Sequence, residues 1–167
     1  GGEMRQIGAH WDRWPNLARW SADGRRLFVT ADDAGHAPVF AIDAAQGSVE
    51  RITSLASGGV HSNLELLADG RIAGIRSTLL EAPECFVVDA RPDSTPTALA
   101  RLCAFSGAHD WAEVESFSVA STDGTPIQSF LIKPKGAAAQ PPGPMPMVVW
   151  IHGGPIGMDQ DGWHWRW

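Results

Sequence analysis

The chain has 167 residues, room for one domain or for parts of two, and its 13 basic and 19 acidic residues leave a net charge of −6. No Lys/Arg stripe appears, which argues against nucleic acid as the main partner. No apolar run approaches the roughly 18 residues of a membrane span, and the apolar content is that of a soluble globular protein. Cys85 and Cys103 have no metal-ligand spacing; the expectation is two small buried apolar side chains, with a disulfide as the alternative. The chain opens Gly1-Gly2-Glu3 without a signal peptide or an initiator Met. It therefore reads as a fragment, and the compartment stays open between cytoplasm and periplasm.

In chain order, the first feature is a repeat. Ala22-Asp23-Gly24 recurs as Ala68-Asp69-Gly70, and Phe40-Ala41-Ile42-Asp43 as Phe86-Val87-Val88-Asp89, each after 46 residues. Asp-Gly is a tight-turn signal because glycine accepts positive φ at little steric cost. Arg26 to Thr30 and Arg71 to Ile75 follow the turns with strand length and composition. VFAID and CFVVD supply a further strand each, and ERIT (50–53) and ARLC (100–103) a last one. About four strands in roughly 46 residues is the pattern of a β-propeller blade. Two unrelated meanders in a sandwich are the alternative. Two blades close no ring, so further blades are expected outside this sequence.

Near residue 110 the pattern changes. Val114 to Ala120 and Pro126 to Lys133 flank an Asp123-Gly124 tip and predict a longer hairpin. Residues 133–146 are rich in Pro, Gly and Ala and predict an exposed loop. Met147 to Ile151 has no polar alternation, which predicts a strand buried on both faces in an α/β sheet. His152-Gly153-Gly154-Pro155 would then stand at that strand's carboxyl end, where open α/β sheets bind ligands. Two glycines let the backbone come close to a ligand and present N–H groups to an oxyanion. A plain turn leaving the strand is the other reading.

At this point the chain resembles the prolyl oligopeptidase family of serine peptidases, above all its acylaminoacyl-peptidase and dipeptidyl-peptidase-like members. The resemblance rests on an ordered series: SADGRRLFVTADDAGHAPVF, then VESFSVASTDGTPIQSFLIKP, then VVWIHGGP and, after it, DGWHWRW. It spans nearly the whole chain. It implies a mainly β fragment, with about two C-terminal blades of a β-propeller in residues 1–112. The first strands of an α/β-hydrolase domain would occupy 113–167.

It also implies hydrolysis of short peptides through a Ser-Asp-His triad, with no cofactor and no metal. Gly154 would give its N–H to the oxyanion hole and Gly153 would free the turn. His152 would stand at the substrate-binding rim, where other branches carry a tyrosine. No serine here has glycine at both −2 and +2, so the G-x-S-x-G elbow is missing and the fragment alone is expected to be inactive. A propeller interaction module without chemistry and an esterase with an HGG loop are the alternatives. The latter has no blades upstream.

Other residues read as structural. Asp159, Asp161 and His164 resemble a metal set but are expected as ordinary loop polars. Trp163, Trp165 and Trp167 are expected to anchor the start of the next helix in the core. Trp11, Trp14 and Trp20 either pack a blade or line the propeller mouth. His109-Asp110 reads as linker, and no role is carried over to Glu113 or Glu115. Oligomeric state does not follow from the sequence.

Overall fold

The structure, a computed structural model, describes residues 3–103, 112–136, 143–154 and 157–164. Eight strands form two antiparallel sheets of four. The first is β1 (Pro15–Trp20), β2 (Arg26–Ala31), β3 (Val39–Asp43) and β4 (Val49–Arg51), paired in that order. The second is β5 (Val60–Leu66), β6 (Ile72–Ser77), β7 (Glu84–Val88) and β8 (Thr97–Ala98), again in order. A short 3₁₀ turn, Leu55–Ser57, joins them. A two-stranded hairpin comes next, β9 (Glu113–Ala120) with β10 (Pro126–Lys133).

The Asp-Gly turns share one mechanism. Gly24, Gly70 and Gly124 have φ of 67°, 84° and 85°. In each turn the preceding aspartate accepts the N–H two residues on: Asp23 from Arg25, Asp69 from Arg71, Asp123 from Thr125, at 3.0 to 3.1 Å. The predicted repeat is visible in the ladders. Val29 faces Phe40 in the first sheet, and Gly74 faces Phe86 in the second. Both β1 and β5 carry an irregularity at the same place, between Asn16 and Arg19 and between Ser62 and Glu65. The offset is 46 residues at these landmarks but 45 along β2 and β6, where Leu27 corresponds to Ile72. The second turn is one residue shorter after its glycine. The slip is confined to the turn, so facing is preserved in every strand.

Packing follows from that facing. Phe28, Val39, Ala41 and Ile52 from the first sheet meet Leu64, Ile72, Phe86 and Val88 from the second in one buried cluster. The opposite face of the first sheet, Val29, Ala31, Phe40 and Ile42, is covered by Ile7 and Trp11 from the amino-terminal segment. Trp11 sits edge-on to Phe40, with ring centroids 5.0 Å apart. Trp11 therefore packs a sheet face, while Trp14 and Trp20 are exposed. Polar links join the sheets at their rims. Arg26 Nη1 donates to Ala90 O at 3.0 Å, and Ser94 N–H to Ile52 O at 2.8 Å. Arg19 pairs with Glu65 at 2.9 Å between β1 and β5.

Two expectations need correction. ARLC forms no strand; β8 lies just before it. The Glu84 carboxylate takes the N–H groups of Leu102 and Cys103, at 2.7 and 2.6 Å, and so satisfies backbone that a strand would have paired. Residues 147–151, expected as a doubly buried strand, form no strand and are exposed, Val148 by 88% and Ile151 by 80%. A strand buried on both faces needs neighbours on either side, and among the described residues none pairs with this segment. Of the sheet strands expected after residue 113, the described residues hold the β9–β10 hairpin alone. Cys85 and Cys103 are both partly exposed and not joined in a disulfide. His109-Asp110, Trp165 and Trp167 lie outside the described residues.

His61 on β5 is 2% exposed. Its Nδ1–H donates to Ala37 O at 3.0 Å and its ring stands edge-on to Phe86, centroids 5.1 Å apart. Its Nε2 has no hydrogen-bond partner. Burial pushes the imidazole pKa down to about 4; the bond to Ala37 opposes this, and the positive charge of Arg76 reinforces it. The unfolded chain binds a proton near pH 6.5 and the folded chain does not until about pH 4. Stability from this site is thus complete above pH 6.5 and is lost as the pH falls toward 4, by at most about 3 kcal/mol. His61→Leu should flatten that part of the pH dependence. Ala37 O still accepts the backbone N–H of residue 61, at 3.0 Å in the parent chain. Urea unfolding of both proteins between pH 4.5 and 7.5, monitored by tryptophan fluorescence, measures it. Parallel curves would assign the acid sensitivity elsewhere.

Candidate functional site

The HGGP loop comes after an exposed segment with no regular structure. Gly154 has φ 149°, in the region that L side chains rarely adopt. Gly153 does not have positive φ, and a Cβ built there meets nothing within 4 Å. The backbone constraint of the loop therefore falls on Gly154. His152 is exposed, and its Nδ1 lies 3.0 Å from Gly153 O. A carbonyl oxygen only accepts, so Nδ1–H is the donor in this bond.

The described chain resumes at Gly157. A Cβ at Gly157 would fall 2.8 Å from Gly153 O and 3.3 Å from His152 Nδ1. Three residues later it crosses the loops of both sheets. Gln160 Nε2 donates to Asp32 Oδ1 at 2.6 Å, and Asp161 N–H to Gly35 O at 2.6 Å. The Asp161 carboxylate accepts two backbone N–H groups, Gly59 on Oδ2 at 2.8 Å and Leu79 on Oδ1 at 2.9 Å. Trp163 N–H reaches Ser77 Oγ at 3.3 Å. Four loops are gathered here: the β2–β3 loop, the turn before β5, the end of β6 and the tail beyond HGGP.

His36 Nδ1 stands 3.4 Å from Asp161 Oδ2 and 3.2 Å from the Gly59 nitrogen. The Gly59 N–H is directed at both groups, donating to Asp161 Oδ2 at 2.8 Å and to His36 Nδ1 at 3.2 Å. The other side of His36 meets Phe130 of β10, edge-on with centroids 6.1 Å apart. Burial raises the pKa of Asp161; the contacts with His36 and with the Leu79 and Gly59 amides outweigh it and hold the group below its ordinary value. Asp161 is therefore an ionised hub. Gly59 has φ 82°, and a Cβ there would fall 2.5 Å from Ser77 O, so the turn that offers its N–H to Asp161 is closed to larger residues.

The sequence singled out Asp159, Asp161 and His164 as resembling a metal set. Among the described residues no three His, Cys, Asp or Glu side chains group around a metal position. The carboxylate of Asp161 faces amides. Its partners lie far away in sequence, 102 residues for Gly59 and 82 for Leu79, and no local signal marks them. Two hollows of the described surface lie beside the second sheet. One is lined by Arg76, Glu84, Cys85, Phe86, Ala98 and Cys103 and does not include the HGGP loop.

No protein-family model matches the chain. It is similar along 98% of its length to dipeptidyl-peptidase 5 of Trichophyton equinum and of Trichophyton schoenleinii, at 28% identity to each. It is similar at 26% identity to dipeptidyl-peptidase 5 of Arthroderma otae, again over 98% of its length. The matched part is 22% of each of those proteins, so the chain spans about a fifth of the length of the curated relatives it matches.

Proposed function

We propose that this chain is part of a serine peptidase of the prolyl oligopeptidase type, acting on short peptides. The observation that carries the reading is the similarity to dipeptidyl-peptidases along 98% of the chain, a span that takes in both sheets, the hairpin and the HGGP loop. Residues 1–112 are then two successive blades of a β-propeller. Their matched ladders, matched irregularities and face-to-face packing support this. Residues 113–167 begin an α/β-hydrolase domain, whose Ser-Asp-His triad lies outside this sequence. The names of the relatives point to removal of dipeptides as the reaction.

The chemistry assigned to this chain is oxyanion stabilisation. The peptide carbonyl becomes a tetrahedral alkoxide when the serine attacks. The Gly154 N–H donates to that oxygen, together with the N–H after the nucleophile. Gly153 keeps the approach clear, consistent with the open space around it. His152 lies at the substrate-binding rim. In the peptidase, 147–151 gains strand neighbours that bury its apolar side chains and bring the loop to the carboxyl end of the sheet.

The full-length protein should hydrolyse dipeptidyl p-nitroanilides and label with a fluorophosphonate. Absence of both would favour a propeller that only binds partners. Gly154→Ala should lower kcat about 10²-fold, the scale for losing one oxyanion donor, with KM much less changed. The added Cβ meets both the positive φ and the space the substrate carbonyl must enter. Thermal unfolding measured in parallel should move little, because the loop is exposed. Wild-type kcat in this variant would make HGGP a turn without a catalytic role.

A further inference from the structure

Gly154 needs more rigidity than its own loop supplies. Within 152–154 the side-chain bond is that of His152 to Gly153 O, and the segment is exposed. Yet a backbone donor must be held within about 0.5 Å of its productive position. A glycine is free to adopt other backbone conformations, so its own chain does not hold it at one.

We propose that Asp161 is the positioning residue that holds the oxyanion loop. This rests on the peptidase reading above. Gly157 lies beside the carbonyl of the Gly153–Gly154 peptide: a Cβ placed on it would fall 2.8 Å from Gly153 O. Four residues on, Asp161 fixes the chain with bonds in two directions. Its N–H donates to Gly35 O, and its carboxylate accepts from Gly59 and Leu79 and faces His36. The two amides belong to different places in the second half of the repeat pair, and Gly35 and His36 to the first sheet. The carboxylate thus refers the loop to both sheets at once. Charge-assisted bonds to backbone N–H are short and directional, which suits a fixed tether. Asp161 touches no substrate in this role; it acts through Gly157 and the loop.

The test uses the full-length protein, a dipeptidyl p-nitroanilide and three variants. Asp161→Asn keeps the shape but replaces one carboxylate oxygen with an NH₂, which cannot accept an amide proton. Asp161→Ala removes the tether, and Gly157→Ala presses a methyl on Gly153 O from the loop side. The expected result is a fall in kcat of about tenfold for Asp161→Asn and more for Asp161→Ala, with KM within about twofold. Affinity for a peptidyl boronate, whose tetrahedral adduct carries the oxyanion, should fall in the same ratio. Affinity for the dipeptide product should hold. Should Asp161→Ala fail to fold, Asp161→Asn and Gly157→Ala decide. An active wild type with unchanged kcat and boronate affinity in those two variants overturns the proposal while leaving the peptidase reading intact. A wild type that neither hydrolyses nor labels overturns both, and loss of folding in all three variants reduces Asp161 to a structural role.

Discussion

A four-stranded meander of apolar strands has two faces, and neither can be left to water. The structure depends on how this chain meets that demand. One face of the first sheet closes on the second through Phe28, Val39 and Ala41, and the other closes on Ile7 and Trp11. Fully burying a side chain such as Phe28 or Val39 contributes on the order of 1.5–3 kcal/mol, above what an exposed ion pair at the rim adds. The face-to-face contact fixes the distance between the sheets. It therefore fixes the relation of the β2–β3 loop to the turn before β5, the pair of loops that Asp161 spans. The positions of the loops that hold the tail beyond HGGP are thus set by the apolar contact between the sheets.

The same constraint explains what was legible in the sequence. Turns built by Asp-Gly are local devices, needing an aspartate oxygen, an N–H two residues away and a glycine with positive φ. They could be read from a handful of residues, and the repeat emerged from their spacing. The strands that follow the turns were legible too, from their length and composition. The fourth strand of the second repeat was not. A carboxylate on β7, Glu84, outbid the ladder for the N–H groups of Leu102 and Cys103. Nothing in ARLC announces that competitor.

The candidate site shows the same division. HGGP was conspicuous because paired glycines after an apolar run are a local pattern. The partners of Asp161 were hidden because amides have no letter in a sequence, and these lie more than eighty residues upstream. Met147 to Ile151 marks the other limit. Its composition states that it must be buried on both sides, but composition cannot state by what. Among the described residues the segment forms no strand.

The Arg19–Glu65 pair has a different kind of consequence. The two residues sit at corresponding places on the first strands of successive repeats. A repeat array can grow or shrink by copying units in tandem, and its apolar faces would accept any copy. The charges would not. A duplicate of the first unit placed after itself would set arginine against arginine, and a duplicate of the second, glutamate against glutamate. Exposed charges add little to stability, yet here they tell neighbours apart. The two units are thus alike in their apolar faces and unlike in the charge each presents at the seam.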